Sequence, residues 1–314
     1  MSKTINILSL DGGGIRGLAT AMFLSQLEKE MESALYDKFD LFAGTSTGAL
    51  IALNIAANKA TGENCVHLYS ADNAQTMMDK SFWDEHLPIQ NQPKYDGKGK
   101  KKILKKVFKD KRILDVDKSV LITAYDIILR QIVVFKSKGG ADAEYNPKLL
   151  EVADATTAAP TYFPTVKSKD DPNRWLVDGG LSANNPSMCA LAEVLKTHRP
   201  DKIKLLSIGT GIQIRGKSKA DEVGKASQGW GGIGWLKNGL IDHLFAGNTT
   251  ATDYHCKQIL GDNYIRVDGP LIYCNDDLDD VSQGNIDNLK RMGREWYEQF
   301  GEDVKAFLGG DKSE

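Results

Sequence analysis

Residues 39–57 read FDLFAGTSTGALIALNIAA, and this stretch decides the fold. The apolar run 39–43 is typical of a buried strand that ends at Gly44, and the apolar stretch 49–57 is typical of a helix. Between them lies the GxSxG sequence Gly44-Thr45-Ser46-Thr47-Gly48. A nucleophile elbow needs this context, since its serine occupies a tight turn and small neighbours let strand and helix approach. The flanks favour a catalytic Ser46 over the alternative, a glycine-rich turn whose serine only caps the helix.

Further strands and helices alternate along the chain on both sides of this turn. Strands are predicted at residues 5–10, 120–124, 131–135, 175–177 and 203–208. Apolar residues at helical spacing predict helices over 24–35 and 286–307. Such alternation, with short turns, predicts an α/β fold in which helices cover a largely parallel sheet. We see no repeat and no long linker, so we predict one domain over residues 1–314, with the catalytic motifs within 5–211 and a C-terminal helical extension over 212–314.

The overall composition argues against several classes of protein. Forty basic and 42 acidic side chains give a net charge of −2, which does not indicate a nucleic-acid polymer as partner. The four cysteines are widely spaced without a CxxC pair, so they predict reduced thiols and no zinc site. We find no signal-peptide pattern and no apolar run of membrane-spanning length. These features predict a cytoplasmic protein that meets a membrane only from its surface.

A second glycine-rich turn, Gly12-Gly13-Gly14-Ile15-Arg16-Gly17, follows the strand predicted at 5–10. Its spacing satisfies GxGxxG, the sequence of a dinucleotide-binding turn. Asp11 argues against that interpretation because its charge would repel a pyrophosphate. The acidic residue expected to close a second strand is also missing, since Asp40 opens a strand instead. Successive glycines also expose backbone N–H groups that can stabilise an oxyanion, and we favour this interpretation.

A serine hydroxyl needs a base to become a nucleophile. None of the five histidines lies in a recognisable catalytic context: His67, His86, His198, His243 and His255. Asp178 has a better context, since it follows the strand predicted at 175–177 and precedes Gly179 and Gly180. A carboxylate at the end of such a strand lies where loops assemble a site above a parallel sheet. The alternative for these three residues is a simple turn.

These three motifs, in this order, resemble the signature of the patatin-like phospholipases: residues 11–17 (DGGGIRG), 44–48 (GTSTG) and 178–180 (DGG). Residues 155–164 (ATTAAPTYFP) and 206–211 (LSIGTG) are similar to two further segments of that family. The resemblance covers mainly residues 5–211. It implies a three-layer sandwich with a mostly parallel central sheet and helices on both faces.

The resemblance also implies a lipid acyl hydrolase of the phospholipase A or lysophospholipase type, without metal or cofactor. Carried over by position, Ser46 is the nucleophile, Asp178 is its base without any histidine, and the backbone of Gly12, Gly13 and Gly14 is the oxyanion hole. The supporting motif residues are Asp11, Arg16, Gly17, Gly44, Gly48, Gly179 and Gly180. For Arg16, an ion pair that fixes the loop and a direct phosphate contact remain open.

Two other functions stay open beside the hydrolase acting on membrane phospholipid. The chain resembles bacterial patatin-like phospholipases that cyclic dinucleotides switch on in antiphage defence, although no residue here can be assigned to a nucleotide. The other alternative is a non-enzymatic storage or binding protein with the same fold.

Two stretches are candidates for transient contact with a membrane surface. Residues 98–112 carry nine basic side chains interleaved with apolar ones at helical spacing. For these we favour a helix that packs on the core with its lysines in solvent over a helix that lies on anionic lipid. Residues 229–236 (GWGGIGWL) fit a lid or interfacial loop and fit tryptophans buried under a loop equally well.

Overall fold

The computed structural model describes residues 4–79, 92–138, 145–169, 171–197, 200–213 and 217–309. Within them lie the strands β1 (Thr4–Leu10), β2 (Leu41–Thr45), β3 (Ser119–Asp126), β4 (Gln131–Lys136), β5 (Val166–Lys167), β6 (Trp175–Asp178), β7 (Lys202–Ile208) and β8 (Tyr264–Val267). All the strands predicted from the sequence are present. His86 and His198 lie outside the described residues.

The helices are α1 (Gly17–Met31), α2 (Leu35–Lys38), α3 (Thr47–Asn58), α4 (Gly62–Leu68), α5 (Ala71–Met77), α6 (Lys98–Phe108), α7 (Leu149–Thr156), α8 (Gly180–Ala183), α9 (Ser187–Thr197), α10 (Lys217–Ser227), α11 (Gly232–Lys237), α12 (Leu240–Leu260) and α13 (Gln283–Gly309). Short 3-10 turns occupy Gly14–Arg16, Ile113–Asp115 and Gly261–Asn263.

The strands form one mixed sheet in the order β5-β6-β3-β2-β1-β7-β8, with β4 also paired to β3. The pairs from β3 through β2, β1 and β7 to β8 are parallel, whereas β4, β5 and β6 join by antiparallel pairing. Parallel strands with helices on both faces give the predicted three-layer α/β sandwich. Because β1 and β2 are neighbours, the two glycine-rich turns that follow them meet at the same end of the sheet.

The pairing of β3 brings the ends of β2 and β6 together. β2 pairs with the first part of β3, and the last pair joins Thr45 of β2 to Thr123 of β3. β6 pairs with the remainder of β3, and Asp178 of β6 lies opposite the next residue, Ala124. β4 pairs with Leu121–Asp126 and so occupies the other edge of β3. The strands β2 and β6 therefore meet end to end along one edge of β3, which brings Ser46 and Asp178 close together.

The core lies on both faces of the sheet, as alternation along β1 illustrates. Ile5 and Ile7 pack with residues of α9 and α12 on one face, whereas Leu8 and Leu10 pack with the larger cluster on the other. Side chains of successive strand residues point to opposite faces, so one strand serves both layers. On the larger side α1 packs against α13, and a Cβ on Gly293 would lie 2.4 Å from the carbonyl oxygen of Ala19.

Three boundaries differ from the sequence-based expectation. β2 does not end at Gly44 but continues to Thr45, so Ser46 itself forms the turn. The predicted helix 24–35 is broken after Met31, because Glu32 adopts a left-handed backbone conformation, and Leu35 begins α2. The segment 212–314 is not only helical, since it also supplies β8 to the central sheet.

The two candidate surface stretches are both partly helical. Ile103, Leu104 and Phe108 of α6 are buried in the core, which agrees with a core-packed helix. Lys100 contradicts the expectation of solvated lysines, since it is only 4% exposed. Trp230 and Trp235 are not buried, so burial under a loop is wrong for them. No helix in the described part of the chain combines the length and apolar character needed to cross a bilayer.

Candidate active site

Ser46 occupies a strained turn between β2 and α3. Its backbone has φ 52° and ψ −122°, a conformation that non-glycine residues rarely adopt. Such strain costs on the order of 1–3 kcal/mol and persists only where the surroundings enforce it. The Ser46 N–H donates to Thr156 Oγ1 at 2.9 Å, which helps to hold the turn. This is the geometry of a nucleophile elbow, as the GxSxG sequence predicted.

The glycines on either side of the turn are required by close backbone contacts. A Cβ on Gly48 would lie 2.2 Å from the carbonyl oxygen of Leu10, and one on Gly44 would lie 2.5 Å from Cα of Ala49. Gly17 is similarly confined, because its Cβ would meet the Thr47 hydroxyl at 2.2 Å. These three glycines let β1, β2, α1 and α3 approach around Ser46.

Asp178 ends β6 and is 1% exposed. Its N–H donates to the carbonyl oxygen of Ala158 at 3.0 Å, and its Oδ1 accepts the Gly180 N–H at 2.8 Å. Gly179 cannot carry a side chain, since a Cβ would lie 2.5 Å from the Thr123 carbonyl oxygen. The Asp-Gly-Gly sequence is thus more than a surface turn, because it fixes a buried carboxylate beside Ser46.

Burial raises the pKa of Asp178 from 3.8 to about 6. Hydrogen bonds with the Ser46 side chain and the Gly180 amide, together with the positive charge of Lys100, act in the opposite direction. The desolvation of the carboxylate therefore outweighs its local partners. A carboxylate with this pKa is ionised at neutral pH and is a better proton acceptor than an exposed aspartate.

The first glycine-rich turn differs in how its three glycine amides are bonded. The Gly12 N–H donates to the carbonyl oxygen of Asn184 at 3.1 Å, so this amide already has a partner. The N–H groups of Gly13 and Gly14 have no hydrogen-bond acceptor among the described residues, and both glycines line the pocket that contains Ser46. Gly14 has φ +58°, which glycine adopts readily.

Two charged residues fix this turn from outside the pocket. Asp11 is buried and pairs with Arg266 of β8 through both carboxylate oxygens, at 3.0 and 2.6 Å. Burial nevertheless raises the Asp11 pKa to about 6. Arg16 Nε donates to the carbonyl oxygen of Gly13 at 3.2 Å, so it fixes the loop through a backbone hydrogen bond. Because Arg266 compensates the charge of Asp11, the expected repulsion of a pyrophosphate is weaker than the sequence suggested.

The pocket around Ser46 encloses about 740 Å³, including its open mouth. Ser46 and Asp178 line it together with Gly13 and Gly14, two of the three predicted oxyanion-hole glycines. Gly12 and the seven predicted supporting residues do not line the pocket. The rest of the wall is mostly apolar and includes Leu50, Met77, Met78, Phe163, Phe245 and Leu278. A deep apolar wall beside a few convergent polar groups suits a ligand with a long hydrocarbon chain.

The three histidines within the described residues do not join this site. His67 on α4 and His243 and His255 on α12 are exposed, and none of them lines the pocket. The Asp178 carboxylate, by contrast, is hydrogen-bonded to the Ser46 side chain.

Several residues of the site were not found by sequence reasoning. Thr156 holds the Ser46 turn through one hydrogen bond, and Asn184 holds Gly12 through two, and such contacts have no signature in sequence. Arg266 lies 255 residues from its partner Asp11. Lys100 carried a readable signal, because it falls on the same helical stripe as Leu104 and Phe108.

A strained serine after β2, unpaired backbone amides after β1 and a buried carboxylate at the end of the antiparallel strand β6 are the kinds of group that a serine esterase uses. Residues 8–191 match the family profile described as patatin-like phospholipase. The chain therefore belongs to the patatin-like phospholipase family, and it is a lipid ester hydrolase.

Its relatives come from plants and bacteria. It is 30% identical to patatin-like protein 2 of Oryza sativa subsp. indica over 351 residues, which cover 93% of this chain and 83% of the rice protein. It is 30% identical to the cGAMP-activated phospholipase of Pseudomonas aeruginosa over 302 residues, which cover 92% of this chain and 87% of that protein. With patatin-like protein 4 of Arabidopsis thaliana the identity is 29% over 334 residues, which cover 92% and 82% of the two chains.

The raised pKa of Asp178 predicts a pH-dependent gain in stability for Asp178→Asn. The folded state binds this proton more tightly than the unfolded state, so ionisation of Asp178 lowers the free energy of unfolding as pH rises from 3.8 to about 6. The difference in the free energy of unfolding between Asp178→Asn and the wild type should therefore shift in favour of the variant by up to about 3 kcal/mol as pH rises over this range. Above about pH 6 the difference should stay constant. Urea denaturation of both proteins between pH 4.5 and 8 measures the difference, and a difference independent of pH would contradict the buried ionisation.

Proposed function

We propose that this protein hydrolyses fatty-acyl esters of membrane phospholipids through a dyad of Ser46 and Asp178. The observation that carries the proposal is the hydrogen-bonded pair of Ser46 and buried Asp178 within one mostly apolar pocket. Membership of the patatin-like phospholipase family supports the same substrate class.

In the acylation step Ser46 Oγ attacks the ester carbonyl carbon while its proton passes to the Asp178 carboxylate. The negative charge that develops on the carbonyl oxygen is stabilised by the N–H groups of Gly13 and Gly14, which we infer to be the oxyanion hole. The Gly12 amide is occupied by Asn184, so we assign Gly12 a structural role in the turn. The ester bond then breaks, and the leaving alcohol of the lysolipid takes the proton from Asp178.

In the second step water attacks the acyl group on Ser46 while Asp178 accepts a proton from that water. Collapse of the tetrahedral intermediate releases the fatty acid and returns the proton to Ser46 Oγ. Leu50, Met77 and Phe163 are among the apolar wall residues that would contact the acyl chain. Burial of that chain supplies binding energy of about 0.8 kcal/mol for each CH₂ group.

The dyad predicts a sharp division among variants. Ser46→Ala and Asp178→Asn should lose several orders of magnitude in kcat/KM, because one removes the nucleophile and the other its proton acceptor. His243→Ala and His255→Ala should stay within roughly tenfold of the wild type. Phospholipid vesicles with mass-spectrometric detection of released fatty acid give the rates, and near-ultraviolet circular dichroism checks folding. A folded histidine variant that is as inactive as Asp178→Asn would contradict the dyad and favour a catalytic triad that includes that histidine.

The non-enzymatic alternative has its own test. A fluorophosphonate probe should label the wild type at Ser46 and leave Ser46→Ala unlabelled, as identified by peptide mass spectrometry. Absence of both labelling and lipid hydrolysis in the folded wild type would favour a storage or binding protein.

We infer that the protein meets the membrane through the exposed apolar side chains of α11 and the start of α12. Ile233 and Leu236 are 72% and 65% exposed, and Leu244 is 51% exposed. The next residue, Phe245, lines the pocket, so this surface adjoins the entrance to the site. Insertion of such side chains into lipid would bring the pocket mouth to its substrate.

The double variant Ile233→Ser/Leu236→Ser tests this surface. Complete burial of each aliphatic side chain contributes about 1.5–3 kcal/mol, so even partial insertion predicts a loss of about tenfold or more on phosphatidylcholine/phosphatidylglycerol vesicles. Hydrolysis of a soluble p-nitrophenyl ester should not change.

The matched control is Leu195→Ser/Ile259→Ser. These two residues are 50% and 54% exposed. They lie on the helices that precede β7 and β8, toward the end of the sheet that is opposite the pocket. The control should retain both activities. Equal loss on vesicles in the two double variants would refute the α11 surface.

The similarity to the cGAMP-activated phospholipase favours a regulated form of the same hydrolase. We therefore expect cGAMP to raise the rate of vesicle hydrolysis by the wild type and to leave Ser46→Ala inactive. Rates measured with and without cGAMP, with linear nucleotides as controls, decide this point. A wild-type rate that cGAMP does not change would count against activation by this nucleotide.

A further inference from the structure

Lys100 is a buried cation in the wall of the active-site pocket. Its side chain is 4% exposed, whereas the following Lys101 is 57% exposed. Lys100 lines the same pocket as Ser46 and Asp178. An ammonium group is costly to bury unless it is paired and hydrogen-bonded, so its partners should explain why a lysine occupies this position.

The Lys100 ammonium has three close contacts, two with Asp154 and one with Phe163. Nζ lies 3.0 Å from Asp154 Oδ1 and donates to the Asp154 carbonyl oxygen at 3.1 Å. It also lies 4.4 Å from the centroid of the Phe163 ring, within cation–π range. An ammonium has three N–H donors, so these contacts occupy it and fix its position. Burial lowers the pKa of Lys100, and the ion pair and hydrogen bond with Asp154 oppose that effect and favour the charged form.

The segment that Lys100 contacts carries the acceptors that hold both members of the dyad. Thr156, two residues after Asp154, accepts the Ser46 N–H at 2.9 Å. Ala158 accepts the Asp178 N–H at 3.0 Å. The ammonium of Lys100 thus fixes the end of α7 directly beside the residues that hold Ser46 and Asp178.

Lys100 also acts on Asp178 through its charge. Besides Lys100 and the other lysines of α6, the elements packed around Asp178 carry Glu151 and Asp154 on α7, Asp126 on β3, Lys167 on β5 and Arg174 just before β6. Arg174 Nε lies 3.5 Å from Asp126 Oδ2, so the charges of these two side chains compensate each other. Among these groups only Lys100 contributes to lowering the Asp178 pKa.

We propose that Lys100 is a positioning residue of the esterase site, which braces residues 154–158 against the dyad and presents a fixed positive charge to the Asp178 carboxylate. The proposal rests on the proposed function of Ser46 and Asp178. The positive charge keeps Asp178 ionised toward lower pH. Loss of the charge should therefore move the acidic limb of the pH–rate profile to higher pH.

The test compares three variants of the full chain. Lys100→Met keeps a side chain of similar length without charge, but it leaves buried Asp154 with only Lys101 at 3.4 Å as a charged partner and so risks misfolding. Lys100→Met/Asp154→Leu removes both charges, and such replacement of a buried ion pair is often tolerated. Lys101→Met is the matched control, because it removes the neighbouring exposed lysine that contacts the same carboxylate.

The readout is kcat/KM for a soluble p-nitrophenyl ester between pH 4.5 and 9, with melting temperature as the check of folding. Both Lys100 variants that fold should show an acidic limb moved to higher pH, by up to about one pH unit, and Lys101→Met should keep the wild-type profile. A folded double variant whose acidic limb coincides with that of the wild type would overturn the proposal, even if its maximal rate were lower. A residue with only a structural role would change the maximal rate and leave the pH dependence unchanged. If the wild type neither hydrolyses the ester nor reacts with fluorophosphonate, the proposed function itself fails.

Discussion

The left-handed backbone at Ser46 is the constraint on which the rest of the site depends. A serine at φ 52° is stable only because surrounding segments leave the chain no other path. Gly48 packs against the Leu10 carbonyl and Gly44 against Ala49, so β1, β2 and α3 meet at backbone contact. The same contacts place the turn after β1 beside Ser46, and Gly13 and Gly14 therefore line the pocket that also contains Ser46.

Buried charges connect this turn to distant parts of the chain. Arg266 on β8 binds Asp11 directly before the glycine-rich turn and also contacts Asp268 at 2.7 Å. Removal of one partner from such a buried cluster would leave an uncompensated charge, which is far more costly than exposure of a surface pair. The region after residue 211 is therefore part of the site's support, although the catalytic motifs end before it.

The sequence predicted the features that depend on neighbouring residues along the chain. It could not predict the contacts between segments that are distant in sequence. Ser46 and Asp178 were identified because strand, glycine and helix signals surround each of them within a few residues. The sequence also predicted that the glycine-rich turn after β1 lies at this site, but the hydrogen bond between the Gly12 amide and Asn184 depends on a contact between distant segments. Lys100 was grouped with solvated lysines because its burial depends on Asp154, which is 54 residues away. The end-to-end meeting of β2 and β6 along β3 likewise follows from strand pairing alone.

The proposed dyad, which has no histidine, needs a carboxylate that accepts a proton near neutral pH, and burial raises the pKa of Asp178 toward that range. The pKa of Asp178, about 6, approaches the ordinary value for histidine of about 6.5. Burial alone would raise it further and leave the carboxylate protonated when the serine needs a base. The Gly180 amide, the Ser46 hydroxyl and the fixed charge of Lys100 oppose that effect. The base strength of the site is thus set by desolvation against three local partners, and an orienting third catalytic residue is unnecessary because the Gly180 N–H already fixes the carboxylate.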